Sequence, residues 1–239
     1  MISGPLSKVK TARDLQFFNV SELLHREITQ EEIRYIFELC DALWLYPYPA
    51  DPTKPHAELT AGDHSDGFVD TLRALRFTNV CQLLAYKLLE KVRQKYFGPI
   101  DWVVGSDHAG AAFSHSVAIW LSAQHDFAEK GPDKQQAWKR FTIEPDEAVL
   151  QVEELMTTSS TLLAVRNGIR EGNQKPVTFA PVVAVLVHRS DVYEIGGSPV
   201  VSLVHYDIKK WKPEGCPLCK VGSQALRPKQ HWAELTGRA

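Results

Sequence analysis

Helical patterns and short apolar runs alternate along most of this chain. Residues 78–97 repeat apolar side chains at helical spacing, and residues 182–187 form an unbroken apolar run. Such a run is typical of a strand whose two faces are both covered, as in a parallel sheet. Mostly apolar runs also occur at residues 100–104, 149–152 and 199–204. The pattern predicts an α/β fold with a mostly parallel sheet flanked by helices.

The length of the chain suits a single domain. It has 239 residues, of which 44% are hydrophobic, and this is enough for one large α/β core. We predict one domain over residues 1–239, with N-terminal helices and a small hood in residues 1–75. The α/β core would cover residues 76–205, and a C-terminal tail residues 206–239. The hood prediction depends on residues 59–70, where turn-forming residues are frequent.

Charge and cysteine content argue against several classes of function. The formal net charge is −2 and the pI is near 6.5, so neither nucleic acid nor an anionic membrane is favoured as a partner. The chain has neither an apolar leader nor 18 consecutive apolar residues, which argues against secretion and membrane spanning. Its 4 cysteines are too unevenly spaced for a disulfide framework. We therefore expect a cytoplasmic protein.

The candidate chemistry centres on one strand-to-helix connection. Glu153 and Glu154 follow a buried strand, and hydroxyl side chains then open a helix: Thr157, Thr158, Ser159, Ser160 and Thr161. A helix N-terminus at the carboxyl edge of a parallel sheet offers free N–H groups to a phosphate. The two acids would repel an anion, so we expect them to face sugar hydroxyls or Mg²⁺. The alternative is a helix cap without a ligand.

A second strand–loop–helix unit contains the segment Gly105-Ser106-Asp107-His108-Ala109-Gly110. Two such loops at one sheet edge would bind a substrate with an anionic group at each end. Asp107 and His108 could orient a diphosphate through Mg²⁺ or donate to it. They could equally form a solvated pair.

The run from Val149 to Thr161 resembles the phosphoribosyl pyrophosphate (PRPP) signature of type I phosphoribosyltransferases. In that signature, apolar residues, an acidic pair and a Thr-rich phosphate loop occur in the same order. Within this family the chain is most similar to orotate phosphoribosyltransferases, over residues 57–232. The resemblance implies transfer of the phosphoribosyl group of PRPP to a nucleobase, with orotate favoured. It also implies Mg²⁺ with PRPP, and a homodimer.

The resemblance assigns roles to the residues of both loops. Glu153 and Glu154 would approach the ribose 2- and 3-hydroxyls as catalytic residues, and residues 157–161 would hold the 5-phosphate. The pyrophosphate would contact Gly105, Ser106, Asp107 and Gly110. The run from Val149 to Thr161 departs from the family pattern twice: Glu154 replaces a usual Asp, and Ser159 replaces a glycine that permits positive φ.

Residues 124–141 form the candidate lid. Cations that close over departing pyrophosphate would stabilise its charge. The family carries such a lysine on a mobile loop, so Lys134 is the predicted catalytic cation, with Lys130 as the other candidate. The connection is short, and the alternative is a solvated loop.

Two residues are predicted to contact the base. Arg189 follows the apolar run 182–187, and in orotate phosphoribosyltransferases an arginine after this strand binds the orotate carboxylate. His64 lies in a segment that resembles the Leu-Thr-Ser-Gly-Lys-His-Ser-Asp string of the family's hood. Here Asp63 stands where a lysine is common. The alternatives are a surface arginine and an exposed loop histidine.

Cys216 and Cys219 form a single Cys-x-x-Cys pair in the tail. This is half of a Zn²⁺ site, because a structural zinc ion takes four ligands. His205, His231 or a cysteine pair from a symmetry-related chain could complete it.

The sequence is also compatible with two alternatives to an orotate-specific enzyme. One is a regulatory protein that binds PRPP or a nucleotide without turnover. It is favoured by Ser159, Asp63 and the short lid. The other is a transferase for a different base.

Overall fold

The computed structural model describes residues 2, 4–131 and 135–237. In chain order the helices are α1 (Ala12–Phe17), α2 (Ser21–Leu24), α3 (Gln30–Leu39), α4 (Leu72–Leu75), α5 (Thr78–Arg93), α6 (Ala109–Leu121), α7 (Ser160–Gly172), α8 (Pro217–Lys220) and α9 (Trp232–Thr236). The strands are β1 (Leu43–Leu45), β2 (His56–Glu58), β3 (His64–Ser65), β4 (Gly67–Val69), β5 (Trp102–Gly105), β6 (Gln124–Phe127), β7 (Glu129–Lys130), β8 (Gln136–Ala137), β9 (Ala148–Met156), β10 (Thr178–His188), β11 (Glu194–Ile195), β12 (Ser198–His205), β13 (Lys210–Trp211) and β14 (Ala225–Leu226).

The central sheet has six strands in the spatial order β11-β12-β10-β9-β5-β6. Every neighbouring pair is parallel except β11 with β12, which forms a short antiparallel edge. Helices pack against both faces of the sheet, α5 and α6 on one and α7 on the other. This arrangement confirms the predicted α/β fold with a mostly parallel sheet.

Strand β10 is covered on both faces of the central sheet. Residues 183–187 are fully buried, and alternate side chains point to opposite faces. Val183 and Val185 pack with Leu162 of α7, whereas Ala184 and Leu186 belong to the core beneath α5. Burial of each Val or Leu contributes roughly 1.5–3 kcal/mol. The unbroken apolar run therefore specifies a central strand, as predicted.

A second sheet, of four short strands, forms the hood in the order β13-β3-β2-β14. Strands β2 and β3 form an antiparallel hairpin, β13 pairs antiparallel with β3, and β14 runs parallel to β2. Half of this sheet thus comes from residues 206–239. The segments predicted as an N-terminal hood and a C-terminal tail therefore share one sheet, because tail strands complete the hood.

The connection after β6 is more ordered than the polar loop that the sequence predicts. Strands β7 and β8 pair antiparallel, with Lys130 opposite Gln136. The hairpin packs closely on α7, where a Cβ at Gly168 would lie 1.9 Å from the carbonyl oxygen of Gln136. Only a glycine allows this approach. Lys134, the predicted catalytic cation, lies outside the described residues.

The carboxyl ends of β5, β9 and β10 meet at one edge of the central sheet because the three strands are parallel. The loops that follow them begin at Ser106, Thr157 and Arg189. This edge carries the candidate site. In the described part of the chain, no helix has the length and apolar character needed to cross a membrane.

Candidate active site

The two acids of β9 converge on the loop after β5. Ser106 Oγ donates a 2.8 Å hydrogen bond to Glu153 Oε1, and Glu153 is only 3% exposed. Burial and the neighbouring Glu154 carboxylate raise the pKa of Glu153 well above its ordinary value. Within the described chain, Glu153 Oε2 and Glu154 Oε2 are buried without a hydrogen-bond partner. Buried oxygens of this kind are suited to accept hydrogen bonds from a ligand or to bind a cation.

Glycines at the start of α6 make room for this arrangement. A Cβ at Gly110 would lie 2.4 Å from Ser106 Oγ and 3.2 Å from Glu153 Oε1. A Cβ at Gly105 would lie 2.6 Å from the carbonyl oxygen of Gly110. The two glycines therefore pack the end of β5 against α6 and admit the acids. This packing role differs from the predicted contact of the two glycines with pyrophosphate. Neither glycine is among the described residues that line the cavity beside the acids.

The first cavity at the sheet edge, here called the acid cavity, has a volume of about 350 Å³. Its lining comes from the loops after β5 and β9, the β7–β8 hairpin and the start of α7: Ser106, Asp107, His108, Ala109, Lys130, Gln136, Glu153, Glu154, Leu155, Ser160 and Thr161. The lining thus combines acidic groups with a lysine.

Lys130 differs from its cationic neighbours. Lys139 pairs with Glu129 at 2.7 Å, and Arg140 pairs with both Glu129 and Asp126. No acidic group within residues 4–131 or 135–237 pairs with Lys130, which faces the acid cavity. Its ammonium group is therefore available to an anionic ligand.

His108 carries backbone strain at the mouth of the acid cavity. Its φ is 56°, a left-handed value that is uncommon for a residue with a side chain. The residue is exposed, and its Nδ1 lies 3.0 Å from Asp107 Oδ2. Such strain is often found at ligand-binding loops, where it orients backbone groups.

The hydroxyl-rich loop after β9 lies between two cavities. Ser160 and Thr161 line the acid cavity, whereas residues 157–159 line the second one. Thr157 and Thr158 are exposed, and the first N–H groups of α7 have no acceptor within the helix. Ser159 has φ −75°, so this position does not need glycine. The departure from the family pattern leaves the loop unstrained.

The second cavity, here called the arginine cavity, has a volume of about 460 Å³. Its lining comes from the hydroxyl-rich loop after β9 and from the segments after β10 and β12: Thr157, Thr158, Ser159, Arg189, Ser190, Asp191, Val192, His205, Tyr206, Asp207, Ile208, Lys209 and Lys210. Arg189 is half-buried there, and its backbone N–H donates to the Met156 carbonyl at 2.9 Å. Burial lowers the pKa of Arg189, and the nearby Asp66 carboxylate opposes that shift.

The hood is attached to the wall of the arginine cavity. Asp66, which follows β3, accepts hydrogen bonds from the Lys209 backbone N–H at 2.7 Å and from Tyr48 Oη at 3.0 Å. Asp63, the residue that stands where the family has lysine, pairs with Lys212 at 2.7 Å. The contacts between the hood and the chain after β12 therefore lie beside Arg189.

His64 is not an exposed loop residue. It is 9% exposed, it lies on β3, and its Nδ1 is 3.0 Å from His56 Nε2 and 3.2 Å from Cys219 Sγ. It belongs to neither cavity lining. The structure thus places His64 in this cluster, with its Nδ1 engaged there, and does not bring it to the predicted contact with the base.

The structure does not place His205 or His231, two candidates for completing a zinc site, with Cys216 and Cys219. His205 lines the arginine cavity, and His231 Nδ1 lies 2.8 Å from Glu234. The cysteines instead meet His56 and His64. Nothing in the sequence spacing singled out His56, because only strand pairing in the hood brings it to the tail.

The sequence also missed Lys209, Lys210 and Gln136 as cavity residues. A signal for the two lysines did exist, since they follow β12, another parallel strand that ends at the same sheet edge.

Comparison with known proteins gives a consistent set of relatives. No protein-family model matches the chain. Orotate phosphoribosyltransferase of Thermotoga maritima is 31% identical over 173 residues, which cover 72% of this chain and 89% of that protein. The enzyme of the same name from Caldanaerobacter subterraneus subsp. tengcongensis is 28% identical over 199 residues, or 83% of this chain and 96% of that one.

The fold is shared with a solved structure. The orotate phosphoribosyltransferase of Aeropyrum pernix aligns with a TM-score of 0.51 at 18% identity, over 72% of this chain and 93% of that chain.

Proposed function

The chain belongs to the orotate phosphoribosyltransferase family, and on this premise we propose that it transfers the phosphoribosyl group of PRPP to orotate. The products are orotidine 5′-phosphate and pyrophosphate. A bond forms between a ring nitrogen of the base and C1 of the ribose, the bond from C1 to the pyrophosphate oxygen breaks, and the ring nitrogen loses its proton to solvent. The observation that carries the proposal is the convergence of Glu153, Glu154 and Ser106 beside the hydroxyl-lined start of α7.

The ribose binds at the two acids. Its 2- and 3-hydroxyls donate hydrogen bonds to Glu153 Oε2 and Glu154 Oε2, the buried oxygens that lack partners in the described chain. A ligand that supplies these donors removes the cost of unsatisfied buried acceptors, roughly 1–3 kcal/mol each. The acids thereby orient C1 between the two cavities.

The anionic groups bind on either side of the ribose. Residues 157–161 and the N-terminal N–H groups of α7 hold the 5-phosphate. Ser106, Asp107 and Lys130 face the pyrophosphate in the acid cavity. As the bond to pyrophosphate breaks, negative charge develops on the leaving group, and the Lys130 ammonium group stabilises it. The family resemblance assigns the same task to Lys134, which lies outside the described residues.

The carboxylate oxygens of Glu153, Glu154 and Asp107 are the oxygen donors that Mg²⁺ prefers. When bound with PRPP, Mg²⁺ would neutralise phosphate charge and increase the leaving ability of pyrophosphate. The protein itself contributes position and electrostatic stabilisation, without a covalent nucleophile.

The base binds in the arginine cavity. Arg189 can hold a carboxylate through two parallel N–H donors, and Lys210 adds positive charge to the same wall. The Lys209 ammonium group pairs with Asp207. An anionic base is therefore favoured over a neutral one. Orotate meets this requirement through its carboxylate.

We further propose a cytoplasmic homodimer. The four cysteines are free thiols, which suits a reducing compartment. Ile119 and Trp120 on α6 and Leu72 on the adjacent α4 are exposed apolar side chains, which favours a contact with a second copy. Light scattering of the purified chain measures the subunit number directly.

The central test is pyrophosphate release in the presence of Mg²⁺, PRPP and one base at a time. The panel contains orotate, uracil, adenine and hypoxanthine, and we expect turnover with orotate alone. The Glu153→Gln variant should lose this activity, whereas Glu22→Gln, at an exposed helix position, should keep it. Turnover with another base only would refute the choice of orotate.

The regulatory alternative makes a different prediction. A non-catalytic protein would bind PRPP in calorimetry and release no pyrophosphate with any base of the panel. The unstrained φ of Ser159 removes one of the features that favoured this alternative.

A further inference from the structure

Four potential metal ligands meet inside the hood, away from both cavities. They are His56 on β2, His64 on β3, Cys216 just before α8 and Cys219 within α8. Their ligand atoms all lie within 4.8 Å of one another. The individual distances are 3.0 Å for His56 Nε2 to His64 Nδ1, and 3.5 Å and 3.6 Å for His56 Nε2 to Cys219 Sγ and Cys216 Sγ.

These distances match the edges of a zinc tetrahedron. Zn–N bonds of about 2.0–2.1 Å and Zn–S bonds of about 2.3 Å require nitrogen–nitrogen edges of roughly 3.3 Å and nitrogen–sulfur edges of roughly 3.6 Å. The nitrogen–sulfur separation between His64 Nδ1 and Cys219 Sγ is 3.2 Å. Small adjustments of the side chains would therefore complete the geometry.

Hydrogen bonds alone do not account for the cluster. His56 Nε2 faces three groups, namely His64 Nδ1 and the sulfurs of Cys216 and Cys219. A neutral imidazole nitrogen carries at most one proton or one lone pair, so it can satisfy only one of the three. A cation at the centre would instead interact with all four ligand atoms at once.

A further contact orients the His56 ring. Its Nδ1 lies 2.8 Å from Ser223 Oγ, and Ser223 Oγ donates to the Lys54 carbonyl at 2.6 Å. Nδ1 therefore carries the proton, and Nε2 is left as a lone-pair donor aimed at the cluster. Hydrogen bonding of the second ring nitrogen is a regular feature of histidines that bind metals.

We propose that His56, His64, Cys216 and Cys219 bind one Zn²⁺ as a closed structural site. Two imidazoles and two thiolates form a complete tetrahedral ligand set, which leaves no open position for catalysis. His56 and Cys216 are 0% exposed, and the partly exposed Cys219 lies at the solvent side, where the ion would enter.

The zinc site joins the two parts of the chain that build the hood. It links the β2–β3 hairpin to the tail at α8, next to the pairings of β13 and β14. Ser65 and Asp66 follow His64 directly, and Asp66 holds Lys209 of the arginine cavity. Zinc therefore positions the hood beside the base. This consequence rests on the proposed function, whereas the binding of the metal is independent of it.

The first experiment measures metal content. The full chain, purified under reducing conditions and supplied with Zn²⁺, should retain about one zinc per chain after gel filtration. Cys216→Ser and Cys219→Ser should each lower this ratio at least about tenfold. Cys40→Ser and His231→Gln are matched controls outside the cluster and should keep the full ratio.

The second experiment needs no variant. When Co²⁺ replaces Zn²⁺ in the unaltered chain, the spectrum should contain the intense visible bands of tetrahedral cobalt and a thiolate-to-cobalt charge-transfer band. Removal of the metal by a chelator should lower the unfolding midpoint by about 5 °C or more. Loss of zinc should raise the KM for orotate more than it lowers kcat, because the hood positions the base.

The proposal is overturned if the unaltered chain retains no zinc and gives no thiolate–cobalt band. Retention of zinc by the Cys216→Ser/Cys219→Ser double variant would also overturn it. A chain that binds zinc but does not release pyrophosphate would refute the proposed function and leave the zinc site intact.

Discussion

Ser106 Oγ donates a 2.8 Å hydrogen bond to Glu153 Oε1, and this contact joins the loop after β5 to the end of β9. It holds a buried carboxylate whose second oxygen has no partner in the described chain. The hydrogen bond lowers the pKa of Glu153, but burial and Glu154 outweigh it and raise the pKa. The site therefore keeps a partly unsatisfied acid in place before the ligand arrives.

The first prediction concerns the pH dependence of stability. The pKa of Glu153 is higher in the folded state than its ordinary value of 4.5, so the folded state binds this proton more tightly than the unfolded state. The stabilising contribution of Glu153 is thus fully present when the pH is below 4.5, the ordinary pKa. It is lost as the pH rises through the pKa of the folded state.

Glu153→Gln removes this titration. At pH 8 we expect the variant to exceed the parent in free energy of unfolding by roughly 1–3 kcal/mol, and the difference should shrink toward pH 4.5. Urea unfolding across this pH range provides the measurement, with Glu22→Gln as control. A difference independent of pH would show that Glu153 is not the group responsible.

The second prediction concerns the cation at the acid cavity. Lys130→Ala should lower kcat/KM for PRPP about tenfold, because an ammonium group that faces the leaving pyrophosphate is removed. Lys139→Ala is the matched control, since Lys139 lies near the same hairpin but pairs with Glu129. Equal losses in the two variants would indicate a general charge effect.

The third prediction concerns recognition of the base. Arg189→Ala should lower kcat/KM for orotate about 10- to 100-fold, which corresponds to roughly 1.4–2.8 kcal/mol of lost charge-assisted hydrogen bonding. Arg189→Lys should restore only part of the activity, since an ammonium group cannot form the bidentate contact. Initial rates with orotate provide the measurement, and Arg13→Lys is the exposed control. Full activity of Arg189→Ala would exclude a contact with the base.

The fourth prediction tests the packing of the β7–β8 hairpin. Gly168→Ala places a Cβ against the carbonyl of Gln136, which must move, so the free energy of unfolding should fall by about 1–3 kcal/mol. Gly215→Ala is the control, because a Cβ there meets nothing within 4 Å. Since Lys130 lies on the displaced hairpin, the KM for PRPP should rise in Gly168→Ala and stay unchanged in Gly215→Ala. An unchanged unfolding free energy would mean that the hairpin is not anchored on α7.

Local sequence patterns were sufficient for the core of the fold. The unbroken apolar run of β10 and the helical spacing of α5 are short-range signals, and each depends only on which faces of one element are buried. A strand, an acidic pair, a hydroxyl-rich loop and a helix follow one another in the sequence. This order likewise predicts that Glu153, Glu154 and residues 157–161 lie at a sheet edge. These features are encoded within about 20 consecutive residues of the chain, the span of one strand and one helix.

Only the tertiary structure decided which distant residues meet. Cys219 and His56 are separated by 163 positions, and pairing of tail strands with the β2–β3 hairpin brings them together. The same pairing places His64 in the cluster instead of at the predicted base contact. It also makes the tail strands part of the hood sheet. The meeting of Ser106 with Glu153 depends in the same way on β5 lying beside β9. The physical reason is that strand pairing uses backbone hydrogen bonds. Every residue except proline supplies both an N–H donor and a carbonyl acceptor, so the local pattern does not specify the partner.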